Sequence, residues 1–312
     1  MKNKKFVKFI HISKSLYRLL LKFEKKKINE KHLKNGPLLK FVNNCKKILV
    51  GNNSVRAIII SLYPKDKKIS KLSALSVKKL SEIMSSQIGE ILSQNSSKEK
   101  VIEVFDRNRK FSINRGSRYH QTREGGSIHT DNVNIPFKWD YLMFSCLSSA
   151  LAGGETILVD SKAIHKELSK KFIEAKKILE KNFFWEKRGV ADEIYRAPVL
   201  TYDNKKNPNF RYLRPYLEAA HEKANQQLTS KQLYALDVLD ALLESEKFQF
   251  RYKMEKGDIL FNLDSQVLHG RTSFSDTLNS LPLNKIKNNE NRLKRTMIRV
   301  WIKERKMKKI FR

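Results

Sequence analysis

Apolar residues near the start of the chain recur at helical spacing. Leu16, Leu19, Leu20 and Phe23 fall on one face of a lysine-rich segment, so residues 1–35 read as a basic helical arm. Residues 55–62 form a short, almost wholly apolar run and predict a buried strand. The stretch 76–92 returns to helical periodicity, with Leu80, Ile83, Met84, Ile88 and Ile91 on one side. Further on, 141–147 and 156–160 read as strands and 161–182 as a helix. Thr229 and Gln232 form a capping box that opens another helix, carrying Leu233, Leu236, Leu239 and Leu243 inward. A β-like apolar run then leads from Asp258 to His269-Gly270, and the Lys/Asn-rich stretch 279–291 reads as an exposed loop before a final strand. No internal repeat is evident.

Chemistry concentrates where that pattern turns to strands. His129-Thr130-Asp131 places an imidazole and a carboxylate at i and i+2, which share one side of an extended strand. His269, far downstream, supplies a second imidazole from a different strand. Two histidines and one carboxylate form a facial donor set that leaves the opposite side of an octahedral ferrous ion open to a chelating cosubstrate and dioxygen. An isolated H-x-D is weak, because most histidines are surface or hydrogen-bonded core residues.

The surrounding motifs make it stronger. Gly126-Ser-Ile-His-Thr-Asp-Asn132, Ala152-Gly-Gly-Glu-Thr-Ile-Leu-Val-Asp160, Gly257-Asp-Ile-Leu-Phe261, Val267-Leu-His-Gly-Arg271 and Arg295-Thr-Met-Ile-Arg-Val-Trp301 occur in this order. Over about residues 119–301 the chain resembles the taurine dioxygenase-like (TauD/TfdA-type) branch of the iron(II)- and 2-oxoglutarate-dependent dioxygenases. The long separation of the two histidines suits this branch better than the nucleic-acid alkylation-repair branch.

The resemblance implies a mainly β fold with flanking helices: a double-stranded β-helix, or jelly roll. With the N-terminal arm set apart, the catalytic domain is expected over residues 36–312. It implies iron(II) held by His129, Asp131 and His269, with 2-oxoglutarate and O2 as cosubstrates. Arg295 matches the family's partner for the distal carboxylate of 2-oxoglutarate, which calls for a cationic, bidentate group. Thr156 matches a hydroxyl that holds the same cosubstrate. Arg299 shares a strand face with Arg295 and matches a second pocket arginine, used for a substrate anion by some members and for cosubstrate by others. Arg292 competes with Arg295 if the register slips. Asn132, Tyr212 and Arg214 are possible substrate contacts, alongside Phe137 and Trp139 as pocket walls, while Arg118 and His120 stay open. Read without the family, Thr156 fits an ordinary strand residue, the aromatics fit core packing, and any single arginine fits a solvated surface.

Composition bounds these expectations. A chain of 312 residues with 40% hydrophobic content buries a substantial core. Its formal charge of +32 suggests a polyanionic partner, but the lysines are spread throughout and no zinc-finger, P-loop or RNA-recognition signature accompanies them. Cys45 and Cys146 are too few for a disulfide framework, so a reducing cytoplasm is expected. No run of roughly 18 apolar residues predicts a transmembrane helix. His11, Lys14 and Arg18 break any signal-peptide core. The expected function is hydroxylation of a small polar or anionic metabolite such as an amino acid derivative. A nucleic-acid-directed oxygenase and a non-catalytic binding barrel are the alternatives.

Overall fold

The computed structural model describes residues 5–51, 54–67, 70–95, 97–107, 122–131, 133–134, 139–187, 191, 193–276 and 294–305. Strand alternation in this chain sorts side chains between two faces of each of two facing sheets. The larger sheet runs Val7–His11, Ala57–Ser61, Asp258–Leu263, Tyr141–Ser148, Thr296–Lys303, with Glu90–Ile91 and Ile102–Val104 both pairing along the last of these. Among its described pairs only the first is parallel, Val7–His11 against Ala57–Ser61. The smaller sheet is antiparallel and runs Gln249–Tyr252, Thr156–Asp160, Val267–Arg271, Gly126–His129. This is the double-stranded β-helix that the resemblance implied.

Three apolar layers hold the sheets. Between them lie Ala57, Ile59, Cys146, Leu260 and Met297 from one and Leu158, Phe250 and Val267 from the other. Behind the larger sheet, Ile58, Ile60, Met143, Ile259, Phe261, Ile298, Val300 and Ile302 pack against Leu16, Leu20, Leu38, Val42, Leu80 and Met84, from helices Lys14–Glu24, Pro37–Gly51 and Ala74–Ile88. Behind the smaller sheet, Ile128, Ile157, Val159 and Leu268 pack against Ile164, Leu168, Leu217, Leu236, Leu239 and Leu243. Ala57–Ser61 is therefore apolar at every position but its last because helices cover one face and the second sheet the other.

Several boundaries differ from the sequence pattern, each for a local reason. Helix Lys14–Glu24 is present and is capped by the Ser13 hydroxyl, which accepts the Leu16 N–H. However, residues 1–35 do not form a helical arm alone, since Val7–His11 joins the main sheet and Phe6, Ile12, Leu16, Tyr17 and Leu20 are buried. The helix expected over 76–92 is Ala74–Ile88, and Ile91 lies in the following strand. The single helix expected over 161–182 is two, Ser161–Lys171 and Ile173–Leu179, because Phe172 leaves helical geometry (φ −135°, ψ 51°). The Thr229–Gln232 capping box is formed as read. Leu233, by contrast, points outward, and Ala235 and Leu242 join Leu236, Leu239 and Leu243 inside. The run from Asp258 is two strands, Asp258–Leu263 and Val267–Arg271, joined by a 3-10 turn at Asp264–Gln266. The expected loop at 279–291 lies outside the described residues.

Candidate iron and cosubstrate site

Backbone register brings the metal-binding residue types together. His129 and His269 are direct cross-strand partners on Gly126–His129 and Val267–Arg271, so both side chains leave the same face, toward the space between the sheets. Asp131 lies just beyond the strand, which ends at His129. Three contacts hold this short extension. The Thr130 N–H donates to the Tyr212 carbonyl at 2.8 Å, the Tyr212 N–H donates to the Thr130 hydroxyl at 3.0 Å, and the Asp131 N–H donates to the Asp264 carboxyl at 3.3 Å.

Within this cup the Nε2 atoms of His129 and His269 lie 3.5 and 3.6 Å from Oδ1 of Asp131. Ligand atoms of all three residues fall within 4.8 Å of one another, which places them within reach of one ion. The protonation states suit a metal. His129 Nδ1–H donates to the Ser127 carbonyl at 2.7 Å, which leaves the lone pair on Nε2. Burial, with the neighbouring His129, pushes His269 down to about 4, so its imidazole is neutral at physiological pH. Burial also opposes ionisation of Asp131, but Arg299 and the two imidazoles outweigh it and hold the carboxyl well below the usual range. Asp264, fully buried beside Asp131, is driven well above that range by burial and by the Asp131 charge. The donor set fits a 2-His-1-carboxylate ferrous centre.

Asp131 presents its two oxygens to different partners. Oδ2 accepts from Trp301 Nε1 at 2.7 Å and faces Arg299 Nη1 at 3.0 Å, which leaves Oδ1 directed at the imidazoles. Met297, Arg299 and Trp301 reach this region because alternate residues of Thr296–Lys303 face inward, while Ile298, Val300 and Ile302 face the helices. Trp301 is in turn stacked on Trp139, with centroids 4.0 Å apart at 15°.

Beside the donor cup is a cavity of about 120 Å³ whose walls include Val104, Phe144, Thr156, Arg271, Arg295 and Arg299. Arg295 is only 6% exposed. Its guanidinium rests on the Phe274 ring at 5.2 Å and makes no hydrogen bond to any described residue. Burial lowers its pKa to about 10, and it stays charged at neutral pH. Gly154, at φ +72°, makes room for it, since a Cβ there would sit 2.9 Å from Arg295 Nε. Arg271, the cross-strand partner of Thr156, also packs on the Phe274 ring, at 4.6 Å. It donates to the carbonyls of Thr122, Arg123, Glu124 and Thr272, and burial, followed by the Arg295 charge, lowers it to about 9.

The structure thus gathers His129, Asp131, His269, Thr156, Arg295 and Arg299 around one cavity. The expectation that Tyr212, Arg214 and Trp139 wall it is corrected. The Tyr212 hydroxyl bonds Asp240 within the helical layer, Arg214 pairs with Glu218, Asp237 and Asp240, each at 2.7 Å, and Trp139 stands behind Trp301. Asn132, Arg118, His120, Phe137 and Arg292 lie outside the described residues. Sequence reading assigned no role to Arg271, Trp301, Asp264 or Gln94. The first two were legible in principle, each standing two residues from a recognised site residue on the same strand face. The others carried no such signal.

Comparison with known proteins agrees with this geometry. The model of the "Taurine catabolism dioxygenase TauD, TfdA family" matches residues 69–301. A taurine hydroxylase-like protein, SAT17, of Stachybotrys chartarum (strain CBS 109288 / IBT 7711) is 27% identical over 149 residues, 47% of this chain and 37% of that relative, so the match spans little over a third of the relative's length. Among solved structures, asparagine oxygenase in complex with Fe(II), 2S,3S-3-hydroxyasparagine and succinate superposes with a TM-score of 0.66 at 13% identity, covering 94% of this chain and 93% of that one. The non-heme iron oxygenase OrfP in complex with Fe and alpha-ketoglutaric acid gives 0.65 at 15% identity, covering 95% and 94%. At these identities the structures establish a shared fold. Among the described residues, no helix is long and apolar enough to cross a membrane.

Proposed function

Because the chain belongs to the TauD/TfdA family of taurine catabolism dioxygenases, we propose that it is an Fe(II)- and 2-oxoglutarate-dependent dioxygenase that hydroxylates a small polar metabolite, an amino acid or its derivative. The observation that carries this reading is the buried Arg295, whose guanidinium hydrogen-bonds no described residue, beside the His129–Asp131–His269 cup. A buried guanidinium with no hydrogen-bond acceptor among the described residues is costly and calls for an anion. The distal carboxylate of 2-oxoglutarate is such an anion, and its other end would chelate the metal.

In this assignment His129 Nε2, His269 Nε2 and Asp131 Oδ1 hold the iron, and Arg295 with Thr156 holds the far end of the cosubstrate. The bound iron and 2-oxoglutarate supply the oxidising chemistry, coupled to release of succinate and carbon dioxide. The chain's own contribution is to orient the groups, keep His269 neutral for ligation and keep bulk water from a small cavity. Arg299 faces Asp131, which removes one cation that an anionic substrate would otherwise use. That shifts the preferred substrate toward a neutral or zwitterionic molecule. The complexes of asparagine oxygenase with hydroxyasparagine and of OrfP with hydroxyarginine support an amino acid. A cytoplasmic setting goes with this reading and rests on the free, buried Cys45 and Cys146.

The test is succinate formation from 2-oxoglutarate with Fe(II) under air, across a panel of amino acids and their derivatives. Substrate-stimulated succinate, matched by a product heavier by one oxygen, is the expected result. Succinate that no amino acid stimulates would overturn the substrate class, and an absence of both iron binding and succinate would overturn the activity.

A further inference from the structure

We propose that Gln94 is a positioning residue for the metal ligand Asp131, acting through Arg299; the inference rests on the iron reading above. Gln94 lies in the connection between Glu90–Ile91 and Ile102–Val104, the two short strands that line the outer edge of Thr296–Lys303. Ile102–Val104 pairs with Met297–Arg299, and Glu90–Ile91 pairs with Ile302–Lys303. Between them the edge ladder is interrupted. The Leu92 N–H donates to the Trp301 carbonyl at 2.9 Å, and the Gln94 side chain closes the rest of the gap.

Every hydrogen-bonding group of that amide is engaged. Gln94 is 2% exposed. Its Nε2 donates to the carbonyls of Arg299 and Lys100, each at 2.9 Å, and its Oε1 accepts from Arg299 Nε at 2.9 Å. Its backbone N–H donates to the Glu99 carbonyl at 2.8 Å. One side chain therefore grips both the backbone and the guanidinium of Arg299. A guanidinium is a rigid planar fork, so fixing Nε fixes the direction of Nη1. Nη1 is the atom that faces Asp131 Oδ2 at 3.0 Å.

The consequence falls on the carboxylate. With Oδ2 shared between Arg299 and Trp301, Asp131 offers the metal Oδ1 alone. A carboxylate free to rotate could take two vertices and crowd those the cosubstrate needs. The neutrality of the amide matters as well. Gln94 accepts from Arg299 without competing for its charge, so that charge remains directed at Asp131.

Cobalt(II) titration of the full-length protein tests this without turnover, by its affinity and by its d–d absorption, which reports coordination geometry. Gln94→Met is expected to loosen Co(II) by about ten-fold and to alter the absorption, as loss of a ligand-orienting partner does. In an Arg299→Met background, the same Gln94 substitution should change affinity by less than about two-fold, because the path through Arg299 is already cut. Wild-type Co(II) affinity and spectrum in Gln94→Met, or losses that simply add in the double variant, would overturn the proposal. Should Gln94→Met fail to fold, Gln94→Glu is read in its place. It keeps the acceptor but draws the Arg299 charge from Asp131, so weaker Co(II) binding is expected, and unchanged binding overturns the idea. A wild-type protein that binds no Co(II) would instead remove the iron reading itself.

Discussion

His129 and His269 stand directly opposite each other on adjacent antiparallel strands, with ring centroids 4.4 Å apart. That register does most of the work of building the metal cup. Both imidazoles must leave the same face of the sheet, and Asp131 needs only the short extension held by Tyr212 and Asp264 to meet them.

Replacing His129, Asp131 or His269 by Ala should therefore remove most ferrous binding, since each takes away one of three protein donors. The fold should survive, because an open catalytic site is not a structural staple. Isothermal titration with Fe(II) under anaerobic conditions, beside a thermal melt, checks both parts. Wild-type affinity in all three variants would sink the assignment.

Arg295→Lys keeps a charge but loses the planar fork. The apparent KM for 2-oxoglutarate should rise about ten- to a hundred-fold, corresponding to a charge-assisted hydrogen bond worth roughly 1.5–3 kcal/mol. Gly154→Ala should move the same parameter in the same direction, since its Cβ would meet Arg295 Nε at 2.9 Å. Titrating 2-oxoglutarate against each variant at equal iron occupancy decides the matter, and an unchanged KM in both would place the anchor elsewhere.

Arg214 ties helix Arg214–Lys223 to helix Ser230–Glu244 through Asp237 and Asp240. Arg214→Ala should lower stability by roughly 1 kcal/mol, because the carboxylates it joins are partly exposed and water takes over much of the lost contact. Substrate KM should not change. Urea unfolding alongside steady-state kinetics separates the two, and a raised substrate KM without loss of stability would return Arg214 to the pocket.

His221 predicts a pH dependence of stability that does not involve the metal-binding residues. Its Nε2 accepts the Phe184 N–H at 3.1 Å and its Nδ1–H donates to the Gln226 carbonyl at 2.8 Å, so the folded protein needs the neutral ring. Burial lowers its pKa below the ordinary imidazole value. The unfolded chain therefore binds the extra proton first, at about pH 6.5, and stability must fall as pH drops below that value. The decline should approach ~1.4 kcal/mol per pH unit until the folded ring also protonates. Denaturant melts of wild type and His221→Gln from pH 8 to 5 measure it. Parallel pH profiles for the two proteins would refute this linkage.

What the sequence determined by itself was local and periodic. The i, i+2 spacing of His129 and Asp131, the capping box at Thr229 and the shared strand side of Arg295 and Arg299 are all properties of neighbouring residues, and period alone expresses them. The order of the five motifs likewise marked the family. Tertiary structure decided which strands pair, and with which residues opposed. Val7–His11 became a sheet edge because Ala57–Ser61 offers it a parallel partner, which no pattern within residues 1–35 announces. Tyr212 and Arg214 went to the helical layer because Asp237 and Asp240 wait there. Gln94 meets Arg299 across a separation of 205 residues, so nothing near either one in sequence could predict the contact. Periodicity tells which side of an element is buried. Only the packed chain decides what it is buried against, because partners are chosen by register and shape between segments far apart along the backbone.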